Sequence, residues 1–180
     1  ISIRSFRSEK VAKYISNLLE GNISETKYLL GELKDSYPIK ITRSLAKAKQ
    51  WLRGHARGSE RYGLLTSSGA SRLKPLGIFS GSITKDNVAS RFLKENNDVR
   101  SSLALEDAAT EFQVQGLELD WAGLIWDGDL IKTSTDWLYK SFVGTKWNNI
   151  MDEEAQKNKM HHIIKKLNIK PVSYTHLTLP

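Results

Sequence analysis

The chain has 180 residues and a mass of 20.4 kDa, enough to bury one substantial core and too little for more than two independently folding units. Its 39% hydrophobic and 26% charged residues are a globular composition, and the absence of cysteine excludes a disulfide framework, a Cys-ligated zinc and a thiol nucleophile, so a reducing, cytoplasmic setting is expected. Lys and Arg number 27 against 20 Asp and Glu, a net +7 distributed as +6 in 1–60, +4 in 61–100, −5 in 101–150 and +2 in 151–180; this predicts a polyanion partner for the basic front and a nucleotide or metal edge for the acidic band.

In chain order, Val11, Tyr14, Ile15, Leu18 and Leu19 recur at helical spacing from Ser8 onward, and Gly21 stops the pattern. A second helix is predicted over residues 24–34 with Tyr28, Leu29 and Leu33, ending before Pro38, and residues 38–41 read as a short strand. Thr42 is the expected N-cap of a third helix carrying Leu45, Ala48, Trp51 and Leu52, with Gly54 just beyond its end. Residues 62–66 read as a buried strand closed by a turn at Ser67-Ser68-Gly69, and Thr84 as the cap of a helix bearing Val88, Phe92 and Leu93.

Residues 121–126 are almost wholly apolar, as a central strand covered on both faces would be, and stop at Asp127-Gly128-Asp129. A polar final helix is predicted over 151–167. Strands alternating with helices imply a layered α/β domain with a largely parallel sheet. No apolar run approaches the roughly 18 residues of a bilayer span, so no membrane partner is expected. Trp51 and Trp121 occupy core-facing positions, whereas Trp137 and Trp147, in a polar stretch read as loop-rich, are candidates for stacking on bases. His161 and His162 have no partner at metal-ligand spacing, and no metal site is assigned.

The window most suggestive of chemistry runs from Thr110 through Gln115-Gly116-Leu117-Glu118 to the acidic Asp120 and the apolar strand. Gly116 permits a tight turn at the sheet edge, where open α/β sheets bind ligands. The spacing resembles motif V of superfamily-one helicases. Ser2-Ile3-Arg4-Ser5, or Ser5-Phe6-Arg7-Ser8, resembles the motif IV signature. With residues 61–73 and Gly144-Thr145-Lys146-Trp147, these windows resemble the Schlafen-group-3-like DNA/RNA helicase domain over residues 1 to about 155.

That resemblance implies a RecA-like three-layer α/β domain, the C-terminal half of an ATP-dependent helicase or translocase, incomplete at both ends. It assigns Arg4 or Arg7 to the γ-phosphate, where an always-charged planar guanidinium suits a transferring phosphoryl. It places Gln115, Gly116 and Glu118 at the nucleotide cleft and Thr110 on the nucleic-acid backbone. Thr66, Ser67, Ser68 and Gly69 offer hydroxyls and N–H groups to a phosphate, and Arg53, Arg57, Arg61 and Arg72 are candidates for a phosphate-tracking surface.

No Gly-x-x-x-x-Gly-Lys-Ser/Thr occurs in the sequence, so ATP and Mg are expected to be held mainly by a missing N-terminal P-loop domain, and this chain alone is expected to be inactive. The expected division is a RecA-like domain over 1–160, a divergent end at 161–171, and a tail at 172–180. That tail is uncharged, resembles a translated sequencing adapter, and is expected to lie outside the fold. Two alternatives stand beside the helicase reading. One is a Mg-dependent nuclease using Glu118, Asp120, Asp127 and Asp129; the other is a non-catalytic nucleic-acid-binding module.

Overall fold

The computed structural model describes residues 3–35, 37–70, 72–80, 94, 98–110, 113, 119–157 and 173–178, with 3–8 and 173–178 described by backbone alone. Among the described residues, the helices α1 (Ile3–Glu20), α2 (Ile23–Leu33) and α3 (Leu45–His55) and a helical turn at 153–157 accompany nine strands. These are β1 (Lys40–Thr42), β2 (Tyr62–Thr66), β3 (Phe79–Ser80), β4 (Asp107–Ala109), β5 (Trp121–Trp126), β6 (Leu130–Lys132), β7 (Trp137–Val143), β8 (Lys146–Asn149) and β9 (Ser173–Thr178). Six form one sheet in the order β1-β9-β5-β2-β4-β3, with every pair parallel; β6, β7 and β8 form a separate antiparallel sheet. The fold is the expected RecA-like α/β architecture with a mainly parallel sheet.

Period-two alternation on the inner strands builds three layers. Leu65 of β2, Ala109 of β4, and Ala122 and Leu124 of β5 face Val11, Tyr14, Ile15 and Leu19 of α1 and Leu29 and Leu33 of α2. The intervening residues Leu64, Ala108, Trp121 and Ile125 face Ala48 and Leu52 of α3. Gly123 lies on the α3 side, where a Cβ would stand 2.9 Å from Leu64 Cδ2 and 3.0 Å from Leu52 Cδ1. At this position glycine lets α3 approach the centre of the sheet.

Several local expectations change. Helix α1 starts at Ile3, five residues before the apolar periodicity, although it ends at Glu20 before Gly21, φ +81°, as expected. Ser44, not Thr42, caps α3: its side chain accepts from the Lys47 N–H at 3.3 Å, while Thr42 Oγ1 accepts from the Ser44 N–H at 3.1 Å. Gly54 lies inside the last turn of α3, because Leu52 packing and the cap at Ala56 outweigh the roughly 1 kcal/mol that glycine costs a helix.

Residues 137–149, read as loop-rich, form the hairpin β7–β8. Gly144, with φ +62°, occupies the first place of its two-residue turn, where a type II′ turn needs a positive φ. Residues 173–178, expected outside the fold, occupy the slot between β1 and β5. Residues 153–157 are helical; the helix expected after Thr84 and the end of the final helix lie outside the described residues. Among the described residues no helix is long and apolar enough to cross a membrane.

Candidate nucleic-acid interface at the carboxyl edge of the sheet

Because all six strands of the main sheet run the same way, the loops after β1, β2, β4 and β5 emerge on one edge. That edge carries Arg43, Ser67, Ser68, Gly69, Arg72, Thr110, Asp127, Gly128 and Asp129. In open parallel sheets, ligands bind outside the carboxyl ends of the strands.

The turn after β2 is held by its own side chains. Thr66 is fully buried and its hydroxyl donates to the Ile125 carbonyl at 3.4 Å, so this expected phosphate contact locks β2 to β5 instead. Ser67 Oγ accepts from the Gly69 N–H at 3.2 Å, and its carbonyl accepts from the Ala70 N–H at 3.0 Å. Ser68 stands exposed at the tip. With those two N–H groups engaged inside the turn, neither is presented to a phosphate.

Asp127 joins the two central loops. Its Oδ1 accepts from the Gly128 N–H at 2.7 Å and its Oδ2 from the Arg72 N–H at 3.3 Å. The backbone of Arg72 is thereby fixed while its side chain remains exposed. The guanidinium lies 5.9 Å from the Phe142 ring centroid and 6.0 Å from that of Trp147, within cation–π range. Those rings meet edge to face at 5.2 Å. Trp147 also rests on Gly128, where a Cβ would come within 3.2 Å of the indole.

Asp129 is buried, and its carbonyl accepts from the Lys140 N–H at 2.9 Å, tying the antiparallel sheet to the same loop. Thr110 is buried as well: its N–H donates to Gln113 Oε1 at 2.8 Å, and its carbonyl accepts from the Gln113 N–H at 3.0 Å.

The four arginines expected to form one surface divide between the two edges. The helix preceding β2 returns the chain to the amino edge. There the Arg53 guanidinium donates to the Ala104 carbonyl at 3.2 Å and that of Arg61 to the Lys94 carbonyl at 3.1 Å. Arg57 sits in the same region, its N–H donating to Glu60 Oε2 at 3.0 Å. That carboxylate also accepts from Trp121 Nε1 at 2.8 Å, and the two bonds, led by the indole's, hold its pKa below the ordinary range. Of the four, Arg72 is the one at the carboxyl edge.

The carboxylates named for a nuclease also separate. Asp120 precedes β5 and accepts from the Arg61 N–H at 2.7 Å, whereas Asp127 and Asp129 follow β5, on the order of 20 Å of strand away. No group of three or more His, Asp or Glu side chains among the described residues is arranged to hold a metal ion. Arg4 and Arg7 lie on the first turns of α1, where only the backbone is described; Gln115, Gly116 and Glu118 lie outside the described residues.

Trp137, the other stacking candidate, is structural. Its Nε1 donates to the Leu19 carbonyl at 2.6 Å and its ring packs beside Trp126 against the α1 side of the core. Phe142 escaped sequence reading. The available signal was the two-residue Gly144-Thr145 turn between aromatic-containing runs, which marks a hairpin.

A parallel, three-layer sheet with polar loops gathered at its carboxyl edge defines a domain of the RecA-like α/β class. The family model described as Schlafen group 3, DNA/RNA helicase domain, matches residues 1–175, and the chain belongs to that family. Membership in a helicase-domain family implies interaction with nucleic acid. No curated protein and no solved structure matches the chain.

Proposed function

We propose that this domain is the second RecA-like half of an ATP-driven DNA/RNA helicase or translocase, and that its carboxyl edge carries part of the nucleic-acid track. The observation that supports this most is the union of the β2 and β5 loops through Asp127, which fixes the exposed Ser68 and Arg72 on one edge of a helicase-family domain. A hydroxyl and a guanidinium so placed suit a sugar–phosphate backbone, with the guanidinium supplying the salt-sensitive part of the affinity. Ser67 shapes the turn, and Thr66 ties its base to β5.

In this reading, ATP and Mg²⁺ are held mainly by a P-loop half of the intact, cytoplasmic protein. Arg4 or Arg7 and the Gln115-Gly116-Glu118 region contribute the facing wall of the cleft. The separation of Asp120 from Asp127 and Asp129 favours this reading over the nuclease alternative.

The test is ATP hydrolysis by the intact protein, with and without single-stranded nucleic acid. Stimulated hydrolysis that the present chain alone does not perform is the expected result. Nucleic-acid binding with no nucleotide binding in the intact protein would instead support the non-catalytic module.

A further inference from the structure

Arg72, Phe142 and Trp147 belong to distant parts of the sequence and serve no purpose in the core. Their rings and guanidinium lie outside both buried clusters, yet they meet on the carboxyl edge. Three features hold the arrangement in place. The Arg72 backbone is tied to Asp127 at 3.3 Å, Trp147 rests on Gly128 with no room for a Cβ, and Phe142 and Trp147 are paired across the β7–β8 hairpin in direct register.

The result is a cationic and aromatic cluster with an exposed guanidinium and two half-buried rings inclined at 64° to each other. A phosphate site needs only the charge. Holding a guanidinium against two aromatic rings adds what a phosphate does not use: planar, polarisable groups of the kind on whose faces unpaired bases stack.

We propose that Arg72, Trp147 and Phe142 form a stacking platform for an unpaired base of a single-stranded nucleic acid; this rests on the nucleic-acid reading above and specifies what the track recognises. A base in a duplex has both faces covered by its neighbours, so the platform favours single strands. Because every base has a π-face, it is tolerant of sequence. The neighbouring Ser68 turn meets the backbone while the platform meets the base, and Asp127 sets the spacing between them.

The experiment compares binding of the chain to a short oligodeoxythymidylate and to an abasic strand of equal length and charge, read by anisotropy and by tryptophan fluorescence. The wild-type chain is expected to prefer the base-bearing strand on the order of tenfold, with quenching of indole emission. Arg72→Lys keeps the charge but removes the plane, and Trp147→Ala removes the larger ring; each is expected to bring the preference toward one. Arg72 is exposed, so its variant reports even if Trp147→Ala unsettles the hairpin. Equal wild-type affinity for both strands, or an undiminished preference in Arg72→Lys, would overturn the platform while leaving the phosphate track standing. Failure of the wild-type chain to bind either strand would overturn both.

Discussion

Gly123→Ala is the smallest change that tests how the three layers are assembled. The added methyl would stand 2.9 Å from Leu64 Cδ2 and 3.0 Å from Leu52 Cδ1, closer than carbon atoms pack at rest. Both leucines are fully buried, so neither can swing into solvent, and relief requires Leu64 of β2 and Leu52 of α3 to repack together, with α3 displaced from the sheet to make room. Overpacking of this kind costs about 1–3 kcal/mol. For a chain of this size each kcal/mol lowers Tm by about 2–4 °C, so a fall of about 2–12 °C is expected. Leu52→Ala alone should cost about 2–5 kcal/mol through the cavity it leaves. In the double variant the new methyl occupies part of that cavity, so the combined loss should be smaller than the sum by roughly 0.5–3 kcal/mol. Urea and thermal unfolding followed by far-UV circular dichroism measure all four corners of the cycle. A Gly123→Ala chain as stable as wild type, or strictly additive losses, would refute the close approach of α3 to β5.

Three further outcomes follow from particular contacts. The Glu60 carboxylate is held below its ordinary pKa of 4.5, so its bonds to Trp121 and the Arg57 N–H stabilise the fold fully above that value and are lost as pH falls through the lower folded value. Trp121 emission should therefore change on acidification in wild type and much less in Glu60→Gln; identical acid titrations would contradict this. Trp137→Phe removes the bond from Nε1 to the Leu19 carbonyl and should cost about 1 kcal/mol in urea unfolding, whereas unchanged stability would show that the bond does not anchor the antiparallel sheet to α1. Removal of residues 172–180 takes away β9, the strand that pairs with β1, so backbone amides of β1 (Lys40–Thr42) should lose protection from hydrogen exchange and Tm should fall; retention of both would show that β9 does not hold the sheet together.

The parts of the fold legible in the sequence are those whose burial is one-sided or complete. The apolar block of β5 and the helical spacing of α1 and α3 translate directly into two faces of one sheet, with Leu64 and Leu65, or Ala108 and Ala109, pointing to opposite layers. The antiparallel sheet was obscured because β7 is only half-buried and each of its faces mixes polar with apolar residues, Ser141 with Trp137 and Tyr139 on one and Lys140 with Leu138 and Phe142 on the other. The cap at Ser44 was ambiguous because Thr42, two residues earlier, offers the same chemistry; the structure uses both, one for the helix and one for the turn before it.

At the candidate site, local structure was legible and the setting of each side chain less so. The turn after β2 was visible from its Ser-Ser-Gly sequence, yet whether Thr66 faces a ligand or the neighbouring strand depends on the pairing of β2 with β5, which local sequence does not encode. The meeting of Arg72 with Phe142 and Trp147 depends likewise on the register of a hairpin seventy residues away.

The central claim, that nucleic acid lies along the carboxyl edge of the parallel sheet, is tested most directly by hydrogen-exchange footprinting of the chain with a single-stranded oligonucleotide. The account predicts protection of residues 67–72, 127–128 and 146–149, with the amino-edge residues 57–61 unaffected. Protection confined to residues 57–61, with the carboxyl-edge loops exchanging as in the free chain, would contradict it.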